Sequence, residues 1–192
     1  MVNGRLTDDR GFSLTELIVV LTLLGIVLGV SYGGLIAVYR ARDVSDRHAL
    51  IANEIGNPLA TFEKMLTQAT YVDAAGPYSV SFRSDRDNDN VQERNLIEAT
   101  ADGHLRHRVW LVDALGNNTS LEYDATWSDN NVNVARSQPL FQYSGDTDDD
   151  GTMEPLIGII DPQQVQYVDV VVVIEYDGRD YSDERSAFMR NR

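Results

Sequence analysis

The chain has 192 residues, 43% of them hydrophobic and 24% charged, which is enough apolar material for a folded core and excludes wholesale disorder. Its 30 acids and 16 bases give a formal charge of −14, and the bases include a single lysine, Lys64, so nucleic acid is excluded as a natural partner. Cysteine is absent, which excludes disulfides, thiol nucleophiles and Cys-ligated zinc without deciding the compartment.

The first element dominates the pattern. Residues 17–39, LIVVLTLLGIVLGVSYGGLIAVY, run for 23 positions without a charge. As a helix they span about 34 Å at ~1.5 Å per residue, enough to cross a hydrocarbon core of about 30 Å. A buried core helix is shorter and apolar on one face, whereas this run is apolar all round. A secretory signal fits badly, because its apolar region is about 7–15 residues long and ends in a small-x-small cleavage site. Here Arg40 and Arg42 follow directly. Arg5 and Arg10 precede the run and Arg47 also follows it, so the positive-inside count leaves orientation open.

Glu16 stands at the threshold of this run. A carboxylate at the edge of a bilayer helix is costly unless paired, and is a functional candidate for that reason. The alternative is a solvated acid favoured by the positive end of the helix dipole. Gly25, Gly29 and Gly33 recur every four residues as a doubled G-x-x-x-G. Such a stripe lets helices approach closely, or simply faces lipid, and it weakens the helix by about 0.8–1 kcal/mol per glycine relative to alanine.

The stretch Gly11-Phe12-Ser13-Leu14-Thr15-Glu16-Leu17-Ile18-Val19-Val20 resembles the class III signal of type IV pilins and type II secretion pseudopilins. That pattern is a short polar leader, a Gly, an aromatic residue, and a Glu four residues after the aromatic, opening a long apolar helix. The resemblance covers about 30 of the 192 residues. It implies that a membrane-embedded prepilin peptidase cuts between Gly11 and Phe12 and N-methylates the new Phe12 amine. It also implies that Glu16 is neutralised by the Phe12 amine of a neighbouring subunit, which sets the register of assembly.

Beyond the span, Val44, Ile51, Ile55, Leu59, Phe62 and Leu66 form one apolar stripe at helical spacing, expected to pack against the chain's own sheet. Gly56-Asn57-Pro58 predicts a kink or a restarted helix, since Pro58 removes a hydrogen bond. After Tyr71 the period becomes two. Tyr78, Val80 and Phe82 alternate with polar residues, as do Leu121, Tyr123, Ala125 and Trp127, and residues 164–176 are a β-branched run. These predict antiparallel strands joined by Asn/Asp/Gly turns. Residues 71–192 hold 23 of the acids and 10 of the bases, so the negative charge lies in this part.

Two acidic loops share a frame: Asp85, Asp87, Asp89, Asn90 and Glu93, and Asp146, Asp148, Asp150, Gly151 and Glu154. Alternating carboxylates before a turn residue look like the first half of an EF-hand calcium loop, although Leu96 and Ile157 stand where the bidentate Glu belongs. Hairpin turns favour the same residues, so calcium and an ordinary turn both stand, and the second loop is the better calcium candidate because Gly151 permits a sharp bend. His104 and His107 are expected on opposite faces of one strand, and His48 on the long helix. No catalytic motif is present. The ending Ser186-Ala187-Phe188-Met189-Arg190-Asn191-Arg192 resembles that of minor pilins and J-type pseudopilins.

The expected fold is α+β: a leader at 1–11, a transmembrane and assembly helix at 12–40, an amphipathic helical half at 41–70, and an acidic antiparallel β head at 71–192. The resemblance implies a minor structural subunit of a pilus-like or type II secretion filament rather than an enzyme. It would sit in the inner membrane with its head outside the cytoplasm, and after assembly in a cell-surface or periplasmic filament. Its partners would be other pilins, prepilin peptidase, the assembly platform and membrane lipid. A tip adhesin or substrate-recognising subunit is the alternative, and a membrane-tethered enzyme the third reading.

Overall fold

The computed structural model describes residues 13–85, 89 and 91–189. The Gly11–Phe12 junction, Asp87, Asn90 and the last three residues, Arg190, Asn191 and Arg192, lie outside the described residues. The contacts divide the chain into two units, Met1–His48 and Ala49–Arg192.

Helix α1 spans Leu14–Ile51 and contains no buried residue. Its apolar side chains are bare all round, as expected of a helix whose solvent is lipid or other helices. A five-residue π turn, Ala52–Gly56, follows, and α2 covers Asn57–Thr67. The helical run extends over Leu14–Thr67, and the kink or restart that the sequence predicts at Gly56-Asn57-Pro58 takes the form of the π turn and a new α-helix with Pro58 in its first turn. Pro58 offers no N–H to the ladder, and the wider π turn takes up the mismatch: the Asn57 N–H reaches back to the Ala52 carbonyl.

The head is built from two antiparallel sheets. The first is a meander of β1 (Tyr71–Ala75), β2 (Ser79–Ser84), β3 (Glu93–Ala99), β4 (Leu105–Val112) and β5 (Asn118–Ser128), paired in chain order. The second has β6 (Phe141–Gly145), β7 (Glu154–Leu156), β8 (Tyr167–Tyr176) and β9 (Arg179–Phe188) in the order β7-β6-β8-β9. The predicted stripe supplies the centre of the core: Ile55, Leu59, Phe62 and Leu66 are almost wholly buried, while Val44, in the other unit, is exposed. Phe62 meets both sheets, edge-on to Phe82 of β2 at 6.5 Å and tilted on Phe141 of β6 at 5.5 Å. Buried Tyr143 ties the second sheet to the β1–β2 turn through a 2.9 Å hydrogen bond to the Gly76 carbonyl, and burial pushes its phenol pKa up.

Polar groups finish what the core begins. The connection between β5 and β6 lies along β8, and Asn133 acts there as a piece of strand. Its Nδ2 donates to the Val171 carbonyl at 2.8 Å and its Oδ1 accepts the Val173 N–H at 2.9 Å, with the residue fully buried. On the outer face of the first sheet, Asp73 accepts from Arg83 and Arg94. Burial raises its pKa, but the two arginines outweigh that and hold the carboxyl below the usual range.

Three expectations are corrected. β5 is a strand, but its alternation does not bury one face: Leu121 is 52% and Tyr123 37% exposed, because β5 is an edge strand paired with β4 alone, through three register shifts. Glu93, expected in the first loop, lies in a strand. It opens β3 and is buried, with Ser84 of β2 opposite. His104 precedes β4, lying between Asp129 at 2.9 Å and Asp102 at 3.5 Å, whereas His107 within β4 faces the interior, 2.9 Å from Asn95 Oδ1 and stacked by Tyr123 and Trp127.

Removing the Asn133 amide strands a buried donor and a buried acceptor of β8, each costing about 1–3 kcal/mol. Asn133→Ala should therefore lower the denaturation midpoint of the head clearly, while Ile159→Ala, at a fully exposed side chain, should shift it by less than about 0.5 kcal/mol. Urea titrations of the two variants check this.

Candidate functional site

The start of α1 is a built structure. Leu14 is the first helical residue, so Ser13 is the N-cap and Glu16 the third helical position. Ser13 Oγ accepts the Glu16 N–H at 3.2 Å, and Glu16 Oε2 accepts the Ser13 N–H at 3.3 Å and the Ser13 hydroxyl at 3.4 Å. This reciprocal pair is a capping box, which satisfies two of the donors that a helix N-terminus leaves open. Sequence reasoning singles out Glu16 and leaves Ser13 without a role; the S-x-x-E spacing before an apolar run is the signal that identifies it. Among the described residues the partners of the Glu16 carboxylate are neutral, and both Ser13 and Glu16 are exposed.

Further along, the Thr22 hydroxyl donates to the Ile18 carbonyl at 2.8 Å, which satisfies it within the helix, as lipid requires. At Gly25, Gly29 and Gly33 an added Cβ would meet nothing within 4 Å. The stripe is thus open, and no packing within the chain explains it. The helix is long and apolar enough to cross a membrane.

In the head, the second acidic loop joins β6 to β7. Carboxylate oxygens of Asp146, Asp148 and Asp150 lie within 4.8 Å of one another. The loop backbone holds them there: Asp146 accepts the Asp150 N–H at 3.2 Å and the Gly151 N–H at 2.8 Å, and Asp150 accepts the Thr152 N–H at 2.7 Å. Hydrogen bonds from the Thr152 hydroxyl and N–H lower the Asp150 pKa. Gly151 adopts φ +87°, as the sharp-turn expectation requires, and Asp149 beside it φ +59°. The fourth expected ligand, Glu154, is not in the group. It begins β7 and accepts from the Thr147 hydroxyl. In the first loop Asp85 accepts the Asp89 N–H at 3.1 Å and Asp89 the Val91 N–H at 2.7 Å. The three converging carboxylates suit a hard oxygen-seeking cation, and the first loop offers no comparable group among the described residues.

A family model for the prokaryotic N-terminal methylation motif matches residues 6–32. The chain carries the class III prepilin signal of type IV pilins and pseudopilins, and the match encloses the capping box and the first half of the apolar helix. No curated protein and no solved structure matches the chain.

Proposed function

We propose that this chain is a structural subunit of a type IV pilus-like or type II secretion filament, stored in the inner membrane through α1 with its head outside the cytoplasm. The observation that carries the proposal is the conjunction at the N-terminus: a methylation motif over residues 6–32, and within it an exposed Glu16 heading a helix with no buried residue. Prepilin peptidase removes residues 1–11 by cutting between Gly11 and Phe12, and the Phe12 amine is then methylated. Gly11 suits the cut because it has no side chain to obstruct it. A minor place, a few copies among many of a major subunit, is the finer form of the proposal.

The physical logic runs through Glu16. Among the described residues its hydrogen-bond partners are neutral, and a carboxylate at the mouth of an apolar helix is costly without a cation beside it. Cleavage creates a cation, the Phe12 amine, in the same stretch of chain. Between neighbouring subunits the two charges neutralise each other, with about 4 kcal/mol of attraction at 4 Å and an effective dielectric constant near 20, partly offset by desolvation. The glycine stripe lets the helices come close enough to do so. Other pilins, the assembly platform and lipid are therefore the partners of α1, and the chain's role is structural rather than enzymatic.

We also propose calcium as a ligand of the head, held by Asp146, Asp148 and Asp150, with Glu154 outside the site. The three carboxylates repel one another at neutral pH, and a hard cation relieves that repulsion and stabilises the fold by mass action.

Two predictions follow from these sites. Glu16→Gln keeps the capping pattern and removes the charge, whereas Glu16→Ala removes both. Both variants should remain in the membrane and fall at least ~10-fold in sheared filaments, equivalent to about 1.4 kcal/mol. A Glu16→Gln subunit that assembles normally would reduce Glu16 to a helix cap. For calcium, the melting temperature of residues 49–192 should rise by about 3–6 °C at millimolar calcium, fall back with chelator, and lose the response in Asp148→Ala/Asp150→Ala but not in Glu154→Ala. Identical melting in calcium and chelator would leave a plain hairpin turn.

A further inference from the structure

Along β8, Val168, Val170 and Val172 are buried, so Tyr167, Asp169 and Val171 between them stand on the outer face of the second sheet. Register sets Gln142 of β6 and Ser186 of β9 on either side of Asp169, and Glu184 of β9 beside Val171. Ser186 donates to Asp169, and among the described residues neither Asp169 nor Glu184 has a cationic partner. One step along the same strands Tyr167 and Phe188 meet ring to ring at 4.8 Å, and Phe188 is exposed. This face therefore offers two carboxylates and an aromatic pair to whatever covers it.

The acidic face runs into an apolar hollow. A groove of about 250 Å³ lies over Val171 between Asp169 and Glu184, and a second hollow of about 570 Å³ shares Gln142 and Asp169 with it. The second is lined by Pro77, Pro139, Pro155, Leu156 and Ile160. Ile157, also part of that lining, is 89% exposed, and Ile159 after it is wholly exposed. Together they form one continuous groove with an apolar end beside β7 and an acidic end on β8 and β9. Exposed apolar side chains gathered at the mouth of such a groove mark a contact surface.

We infer that this groove binds an extended segment of a different protein that carries apolar side chains and lysine or arginine together. Charge complementarity selects the occupant. Residues 71–192 hold 23 acids and 10 bases, so an anionic ligand meets a repelling field, whereas a cation is drawn to Asp169 and Glu184. A second copy of this chain is a poor source of that cation. Arg83, Arg94, Arg106, Arg108 and Arg136 are each held by carboxylates of their own chain and would have to give those up. The groove crosses from β7 over β6 and β8 to β9, three steps of about 4.8 Å, which four or five extended residues at ~3.3 Å each can span. An apolar side chain of the segment fills the proline-lined end, and its cation sits between the two carboxylates with the Phe188 ring beside it. One such contact per copy needs no run of neighbouring copies, so it suits a subunit present in small number. The inference concerns the head alone and does not rest on the filament reading.

Three labelled pentapeptides test it against the full-length chain in neutral detergent, by fluorescence anisotropy with empty micelles as the blank. They are Leu-Lys-Leu-Lys-Leu, Leu-Ser-Leu-Ser-Leu and Ser-Lys-Ser-Lys-Ser, each acetylated and amidated. The Leu-Lys peptide should bind at least ~10-fold more tightly than either of the others, because only it answers both ends of the groove. Asp169→Asn together with Glu184→Gln should weaken it at least ~10-fold, whereas Glu122→Gln with Asp177→Asn, the same change in net charge at exposed sites elsewhere, should leave it unchanged. Ile157→Ser, at a side chain the fold does not bury, should weaken the Leu-Lys peptide at least ~3-fold and leave the Ser-Lys peptide as it was. Absence of binding, equal binding of the three peptides, or an equal loss in the control pair would overturn the groove and leave only the general field of an acidic head. None of those outcomes touches the filament reading, which Glu16 and the cut at Gly11 decide.

Discussion

A single carboxylate at the mouth of a long uncharged helix governs this molecule. Glu16 precedes 23 residues without a charge, and every structural feature nearby responds to it. Ser13 supplies a hydroxyl and an N–H, and Glu16 in turn caps the helix that begins at Leu14. These hydrogen bonds solve the problem of open backbone donors at a helix start. Among the described residues they leave the Glu16 charge without a cation. Under the filament proposal, cleavage creates that cation at Phe12, and the amine of a neighbouring subunit answers the acid.

The rest of the architecture separates two kinds of helical surface. Up to His48 the helix exposes apolar side chains all round, with glycines at every fourth place in its middle. After the π turn the same helical run buries one face only, and Phe62 on that face meets a phenylalanine from each sheet. The π turn sits directly before Pro58, where the sequence expects a kink or a restarted helix, and burial of the core face begins within that turn, at Ile55. In the head, burial is completed by polar substitution: Asn133 takes the place of a strand beside β8, and Asp73 is shared between two arginines.

Much of this is legible from the residues alone, for identifiable reasons. The span, the amphipathic stripe from Val44 to Leu66 and the β8 run are set by periodicity, and burial follows the stripe from Ile55 to Leu66 while Val44 stays exposed. The class of the N-terminus was legible because its motif is local. What escaped depended on neighbours distant in sequence. The alternation in β5 is real, but its apolar face is not covered, because strand order leaves β5 at an edge. Glu93 shares a spacing with Glu154, yet β3 starts early enough to bury it. The two acidic loops look alike as strings. Among the described residues, the second brings three carboxylates together, its backbone turning through Gly151 and Asp149 at positive φ. Asn133 carried no signal at all, since its role exists only beside Val171 and Val173.

The account stands on the claim that the chain is cut between Gly11 and Phe12, because that cut supplies the cation Glu16 needs. Intact-mass measurement of the protein recovered from cells with an active prepilin peptidase tests it most directly. The account predicts a mature chain that lacks residues 1–11 and carries one added methyl group on its new N-terminus, with Gly11→Val leaving the full-length mass. A mature protein that keeps residues 1–11 in the presence of the active peptidase would contradict it.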